Sequence, residues 1–186
     1  VDRVAMGTTA DVCSGHIKLL VQINDWSLRS LAAQEMKSGF GWIQAEPPCS
    51  MAPFAVTPEE LGDAWRDGRI CADLIVEWNG RPFGAANGAP MQYGFHELVA
   101  HACATRDLVA GTIIGSGTVS DSDYHSRGSS CIAERRGIEI VEQGTAHTEY
   151  MRFGDRVTMR AKLADGRSPF GIIDQTVVKS AVAADY

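Results

Sequence analysis

The chain has 186 residues, of which 45% are hydrophobic and 22% are charged, a composition typical of one globular domain that needs no disulfide or metal for stability. Its 17 basic and 23 acidic residues give a formal net charge of -6, and its longest basic run is Arg135-Arg136, so we expect no nucleic-acid partner. The apolar run over residues 17–23 is far shorter than the roughly 20 residues of a membrane span, so we expect no membrane partner.

The five cysteines are odd in number and widely spaced, with no Cys-x-x-Cys pair. This pattern favours reduced thiols in a cytoplasmic protein. The sequence begins with Val1-Asp2-Arg3-Val4, a pattern that is typical of the end of a strand rather than of the start of a protein. We therefore expect residues 1–186 to form a single domain that is the C-terminal part of a longer catalytic domain.

The first third of the chain alternates between regular elements and loops. The apolar run over residues 16–23 predicts a strand, which the polar pair Asn24-Asp25 ends, and residues 27–37 predict a helix. Residues 39–58 hold four of the seven prolines, which predicts a long ordered loop. At its end, Thr57 precedes a proline and two glutamates, the pattern of a capped short helix.

The remainder of the chain predicts hairpins and one further helix. Residues 70–78 alternate in polarity and are followed by Asn79-Gly80, which predicts a β-hairpin. Residues 94–107 have helical spacing, and residues 108–114 form a short apolar run that predicts a strand. The last part, residues 157–178, predicts further strands. This mixture indicates an α+β domain that is rich in β-sheet.

A glycine loop follows the strand predicted at residues 108–114. Gly115 and Gly117 flank Ser116, but the loop has neither the dinucleotide-binding fingerprint nor the lysine of a P-loop. Small residues let backbone amides and hydroxyls approach a small oxyanion closely. The loop is therefore either a structural turn or an oxyanion-binding loop.

Two acidic positions are candidates for chemistry. Asp25 and Arg29 are one helical turn apart, where a carboxylate can hold a hard metal ion and a guanidinium can face an oxyanion. The alternative is that Asp25 is a helix N-cap paired with Arg29. Glu134 follows an apolar pair and is either a general base, an orienting acid or an ion-pair partner of Arg135 or Arg136.

Three motifs in this order resemble the fumarylacetoacetate hydrolase family: residues 23–29 (INDWSLR), residues 39–41 with the proline-rich stretch to residue 56, and residues 115–120 (GSGTVS). The resemblance extends from Met6 to Val178. It implies a β-rich α+β fold with a mixed, partly rolled sheet and short helices, assembled as a homodimer.

The same resemblance implies an enzyme of aromatic compound catabolism, such as tyrosine degradation. Members of the family use a divalent metal to cleave a carbon-carbon bond in a β-diketo acid such as fumarylacetoacetate or an acylpyruvate. Of the hard cations, Mg²⁺ is expected first, with Ca²⁺ or Mn²⁺ as alternatives. The expected partners are thus a small diketo acid and a second copy of the chain.

The resemblance also assigns roles to individual residues. Asp25 matches a metal ligand, and Arg29 matches a cation on the side of the developing oxyanion. Thr118, together with Gly117, matches a contact to the substrate carboxylate. Glu134 matches the acid that orients a catalytic histidine.

Two departures from the family pattern leave alternatives open. The Glu-x-Glu ligand pair of the family is expected just before Val1, outside this sequence. Glu46 stands where the family usually has a lysine. The chain could therefore be an inactive, truncated member that dimerises or binds small acids. It could also be a decarboxylase or isomerase that uses the same metal-enolate chemistry.

Overall fold

The computed structural model describes residues 1–180, which form six α-helices, eight strands and two short 3₁₀ turns. The helices are α1 (Ala10–Cys13), α2 (Arg29–Ser38), α3 (Pro58–Leu61), α4 (Phe95–Ala102), α5 (Tyr124–Arg127) and α6 (Ile132–Gln143). The strands are β1 (Ile23–Asn24), β2 (Ser50–Met51), β3 (Trp65–Arg66), β4 (Arg69–Ile70), β5 (Asp73–Trp78), β6 (Arg81–Asn87), β7 (Arg156–Lys162) and β8 (Ile173–Thr176). The 3₁₀ turns are Ser14–His16 and Gly62–Ala64.

The centre of the fold is a four-stranded antiparallel sheet in the order β6-β5-β7-β8. Strands β5 and β6 form the predicted hairpin, and its turn residues Asn79 and Gly80 have φ of 52° and 73°. Two consecutive left-handed residues match the right-handed twist of a hairpin, which is why Asn-Gly is favoured there. Strand β7 then pairs with the other edge of β5, with Leu74 opposite Ala161 and Val76 opposite Met159.

The hydrophobic core lies where the short helices pack against this sheet. Leu61 of α3, Val99 of α4 and Phe170 before β8 are all at most 2% exposed. Burying such a side chain fully contributes about 1.5–3 kcal/mol. The predicted cap of α3 is present, because the Thr57 hydroxyl accepts the backbone N–H of Glu60 and the Glu60 carboxylate accepts that of Thr57.

Two predicted strands are wrong in extent. Of the run predicted over residues 16–23, only Ile23 lies in a strand, and Leu20 makes an isolated bridge to Val56. Residues 108–114 contain a single bridge, from Leu108 to Val4. Both runs are apolar and extended, but neither has a continuous neighbouring strand to supply a ladder of hydrogen bonds.

The three helices that were predicted are present, whereas α1, α5 and α6 were not predicted. Helix α2 closely matches its prediction, whereas α4 ends at Ala102, well before the predicted residue 107. The longest helix, α6, was not predicted, because Gly137 and three consecutive polar residues obscure its apolar periodicity. None of the helices in residues 1–180 is long and apolar enough to cross a membrane. The α+β class is confirmed.

Candidate functional site

A groove of about 1480 Å³ opens between residues 17–30 and the loop of residues 111–120. Its floor is one face of the four-stranded sheet, formed by alternate apolar residues of β5 and β7. Four of the five site residues predicted from the sequence line it, and these are Asp25, Arg29, Gly117 and Thr118. Glu46 also lines the groove. Glu134 does not, and it reaches the groove only through a partner described below.

Asp25 follows strand β1 directly and is exposed. Within residues 1–180 its carboxylate accepts no hydrogen bond and forms no ion pair. The N-cap of α2 is Leu28, and no side chain caps that helix. The alternative in which Asp25 is an N-cap paired with Arg29 is therefore wrong, and Asp25 is a free carboxylate at the groove.

Arg29 is held in place from two sides. Its Nε donates to Ser27 Oγ at 2.9 Å, and its guanidinium carbon lies 5.0 Å from the centre of the Trp42 ring. A cation over an aromatic face is worth about 0.5–1 kcal/mol at such a partly exposed site. The two terminal nitrogens of Arg29 have no partner within the described part of the chain. They are free to meet a negatively charged oxygen in the groove.

Glu35 fixes the loop that carries Trp42 and Glu46. Its carboxylate accepts the backbone N–H groups of residues 43–45 at 2.9 to 3.0 Å. These bonds, that of Gln44 most of all, hold the pKa of Glu35 below its ordinary value of 4.5. No sequence motif predicts this role, because the partners lie eight to ten positions after Glu35, in the loop that follows helix α2.

The glycine loop presents a free hydroxyl to the groove. Gly117 has φ of 71°, a left-handed conformation that a side chain would strain, although nothing lies within 4 Å of the position of a Cβ. The next residue, Thr118, is exposed, and its hydroxyl makes no hydrogen bond within residues 1–180. The loop therefore offers the groove a free hydroxyl that can donate a hydrogen bond.

Glu134 lies in the first turn of α6, behind the wall of the groove. One oxygen of its carboxylate accepts the hydroxyl of Ser120, which lines the groove, and the other accepts the hydroxyl of Ser129. Glu134 pairs with neither neighbouring arginine, because Arg135 bonds to the backbone of strand β6 and Arg136 bonds to the carbonyl of residue 148. The sequence placed Ser120 in the glycine loop but did not predict that Ser120 or Ser129 contacts Glu134.

No group of three or more histidine, cysteine, aspartate or glutamate side chains within residues 1–180 could hold a metal ion. Asp25 and Glu46 are the acidic side chains on the groove. Magnesium takes six oxygen ligands and calcium six to eight, so these two carboxylates do not make a complete site of the all-protein kind. The described residues therefore do not form a complete metal centre by themselves.

A family model for the C-terminal part of fumarylacetoacetate hydrolase matches residues 1–178. The fold is similar to that of a fumarylacetoacetate hydrolase family protein from Yersinia pestis CO92, with 18% identity and a TM-score of 0.63 over 95% of this chain and 67% of that one. It is also similar to a 5-carboxymethyl-2-hydroxymuconate delta-isomerase from Mycobacterium smegmatis, with 18% identity and a TM-score of 0.60 over 97% of this chain and 55% of that one.

A third similar structure is described as a fumarylpyruvate hydrolase from Burkholderia cenocepacia, with 16% identity and a TM-score of 0.64 over 95% of this chain and 61% of that one. The chain thus spans between 55% and 67% of the length of these structures. No curated protein shows significant similarity to the chain.

Proposed function

The chain belongs to the fumarylacetoacetate hydrolase family, and we propose that it forms the substrate groove of a hydrolase that cleaves a carbon-carbon bond in a β-diketo acid. Fumarylacetoacetate and the acylpyruvates of aromatic catabolism are the substrates that we propose. The observation that carries this proposal is the groove itself, which gathers Asp25, Arg29 and Thr118 on one surface with their polar groups free.

Each of these groups has a chemical role in the proposed reaction. Hydrolysis adds one water across the broken bond, so that the hydroxyl joins the acyl carbon and a proton joins the leaving carbon. The carbonyl oxygen becomes negative as water attacks, and the free nitrogens of Arg29 can stabilise that charge. The Thr118 hydroxyl can donate to a carboxylate of the substrate and so fix its position. We propose that Glu134 acts indirectly, through Ser120.

The family generally binds a divalent metal. We propose Mg²⁺, with Ca²⁺ or Mn²⁺ as alternatives, Asp25 as one ligand, and the remaining ligands from outside residues 1–180. A buried glutamine indicates that the groove makes further polar contacts. Gln22 is 8% exposed and lines the groove near Asp25, but both polar atoms of its side-chain amide lack a partner within those residues. Leaving such a group unpaired costs about 1–3 kcal/mol, so further polar contacts are expected here.

Turnover assays with fumarylacetoacetate and a panel of acylpyruvates test the proposal, with Mg²⁺ or Mn²⁺ present. We expect hydrolysis by the chain extended at its N-terminus by a Glu-x-Glu strand, and loss of hydrolysis in Arg29→Met, which keeps a long unbranched side chain but removes the charge. Absence of turnover on every substrate would refute the hydrolase proposal. Mass analysis of the products separates the related reactions, because hydrolysis adds water, decarboxylation releases carbon dioxide and isomerisation leaves the mass unchanged.

An isomerase or decarboxylase is a second candidate, since one of the similar structures is described as an isomerase. A third candidate is an inactive member that binds small acids or dimerises, which the incomplete metal site and Glu46 favour. Calorimetric titration with Mg²⁺ and Mn²⁺ distinguishes it. A chain that binds neither ion, alone or extended at its N-terminus by a Glu-x-Glu strand, would support the inactive member. Binding by the extended chain only would support the enzyme.

The homodimer and the cytoplasmic location that the resemblance implies are proposals as well. Sedimentation velocity tests the first, because a dimer of this chain has twice its mass of 20.0 kDa. Fractionation of cells that express the protein tests the second.

A further inference from the structure

The hydroxyl of Ser120 is the feature of the groove that constrains its ligand most directly. Ser120 lines the groove and is exposed, and its Oγ donates its hydrogen to Glu134. A serine hydroxyl has one hydrogen and two lone pairs, whereas a carboxylate can only accept. Because the single hydrogen is committed to Glu134, Ser120 offers the groove lone pairs and no donor.

The carboxylate that holds this hydrogen is itself fixed. Its second oxygen accepts the hydroxyl of Ser129, a residue with no exposed surface. Ser129 Oγ in turn accepts the backbone N–H of Cys131 at 3.1 Å, at the start of helix α6. Glu134 is therefore tied to the helix terminus on one side and can meet the groove only through Ser120 on the other.

Two neighbouring serines in the groove follow the same pattern. Ser116 Oγ donates to the carbonyl of Gly117 at 3.0 Å, and Ser130 Oγ donates to the carbonyl of Val119 at 2.6 Å. A hydrogen bond to an ionised acceptor is roughly twice as strong as one to a neutral carbonyl, so the hydrogen of Ser120 is the most firmly held of the three. These three serines therefore present acceptors to the groove, whereas Thr118 between them keeps a free hydroxyl that can donate.

We propose that Ser120 is a specificity-determining residue that selects ligands with an O–H group, an enol or an alcohol, over ligands with a carbonyl at the same position. The inference rests on the proposed function, because it takes the groove as the substrate site. β-Diketo acids exist as keto and enol tautomers. A fixed acceptor stabilises the enol through its O–H and gives nothing to the keto form, whose oxygen can only accept. The ligand class is thus the enol or 2-hydroxy acid.

Lactate and pyruvate are suitable probes, because they share a carbon skeleton and a negative charge and differ in a hydroxyl against a carbonyl. We would measure both dissociation constants for the full 186-residue chain by ligand-observed NMR titration. The ratio of the pyruvate constant to the lactate constant reports the preference. In Ser120→Ala this ratio should fall by about 2- to 10-fold, the effect of one hydrogen bond.

Two further variants control for other causes. Ser120→Thr keeps the hydroxyl and should retain the wild-type ratio. Ser126→Ala also removes a serine that donates to a carboxylate, that of Asp123, but Ser126 does not line the groove, so its ratio should be unchanged. A ratio that is the same in Ser120→Ala and wild type would overturn the inference, and so would failure of both probes to bind the wild-type chain.

This experiment is independent of turnover. A chain that hydrolyses acylpyruvates but shows no Ser120-dependent ratio would refute the inference and leave the proposed hydrolase intact. A chain with the Ser120-dependent ratio and no turnover would refute the hydrolase and leave the acceptor role of Ser120 in a groove that binds small acids.

Discussion

Gly84 of strand β6 is the position at which a single methyl group should disturb the fold and the candidate site together. A Cβ at residue 84 would lie 2.2 Å from the carbonyl oxygen of Ser129 and 2.7 Å from its backbone carbon and nitrogen. These are backbone atoms of a fully buried residue, so the methyl cannot be relieved by rotating a side chain. The strand and the start of α6 would have to separate by about 1 Å to relieve this clash. Inserting an extra methyl group into a well-packed interior in this way is overpacking.

Overpacking costs typically about 1–3 kcal/mol, and the separation also breaks the backbone bridge between Gly84 and Gly128. We therefore expect Gly84→Ala to lower the free energy of unfolding by about 2–4 kcal/mol. For a domain of this size the midpoint of thermal unfolding should then fall by roughly 5–15 °C. Urea unfolding followed by circular dichroism measures the free energy of unfolding. A thermal scan of the same protein measures the midpoint temperature.

Gly137→Ala is the matched control. Residue 137 lies inside helix α6, and nothing is within 4 Å of its Cβ position, so the same methyl meets no atom there. Alanine should stabilise the helix by about 0.5–1 kcal/mol. The reasoning would be refuted if Gly84→Ala unfolded within about 0.5 kcal/mol of the wild type, the ordinary range for a neutral surface change.

Three other predictions follow from the described contacts. Asp25→Ala should weaken Mg²⁺ or Mn²⁺ binding in calorimetry. It should leave the melting temperature of the metal-free chain unchanged, because the side chain has no partner within residues 1–180. A loss of apo stability as large as the loss of metal affinity would contradict its role as a ligand. The hydroxyl and N–H of Thr148 lower the pKa of Glu139 from 4.5 to about 2, so its contribution to stability is complete above pH 4.5 and is lost as the pH falls towards 2. Urea midpoints across this range should fall less steeply in Glu139→Gln than in wild type. Burial raises the pKa of the Cys13 thiol to about 11. Iodoacetamide at about pH 8 should therefore label the exposed Cys49 and spare Cys13. Peptide masses measure the labelling, and modified Cys13 would contradict the prediction.

The parts of the fold that were predictable from the sequence are those whose cause is local. Asn79-Gly80 fixes a hairpin through its own backbone conformation, and Thr57 caps α3 through a residue three positions later. The strands predicted at residues 16–23 and 108–114 failed for the opposite reason. Apolar, extended sequence is necessary for a strand, but the hydrogen bonds come from a neighbour that the local sequence does not specify.

In the candidate site, too, the sequence predicted what a local motif specifies and not the contacts between distant elements. Asp25 and Arg29 were identified from one short motif, and the structure places both on the groove. What holds the site together was not predictable, because it consists of pairs from different elements. Trp42 stacks on Arg29 from a loop thirteen positions later, and Ser120 reaches Glu134 from a loop on the other side of α5. Such pairs form only when the chain is folded, so neither hydrophobic periodicity nor a helix-capping motif predicts them.

The charges on the groove bear on how a diacid could bind there. Within the described residues, Asp25 and Glu46 have no ion-pair partner, whereas the cation that remains free is Arg29, because Lys18 is paired with Asp2. Two free carboxylates against one guanidinium disfavour a ligand that carries negative charge, and solvent screens this repulsion in part because both carboxylates are exposed. A lysine at position 46 would reverse the balance. With glutamate there, the cation that we propose at Asp25 would have to supply the positive field that an anionic ligand needs, so the proposed function couples diacid binding to metal binding.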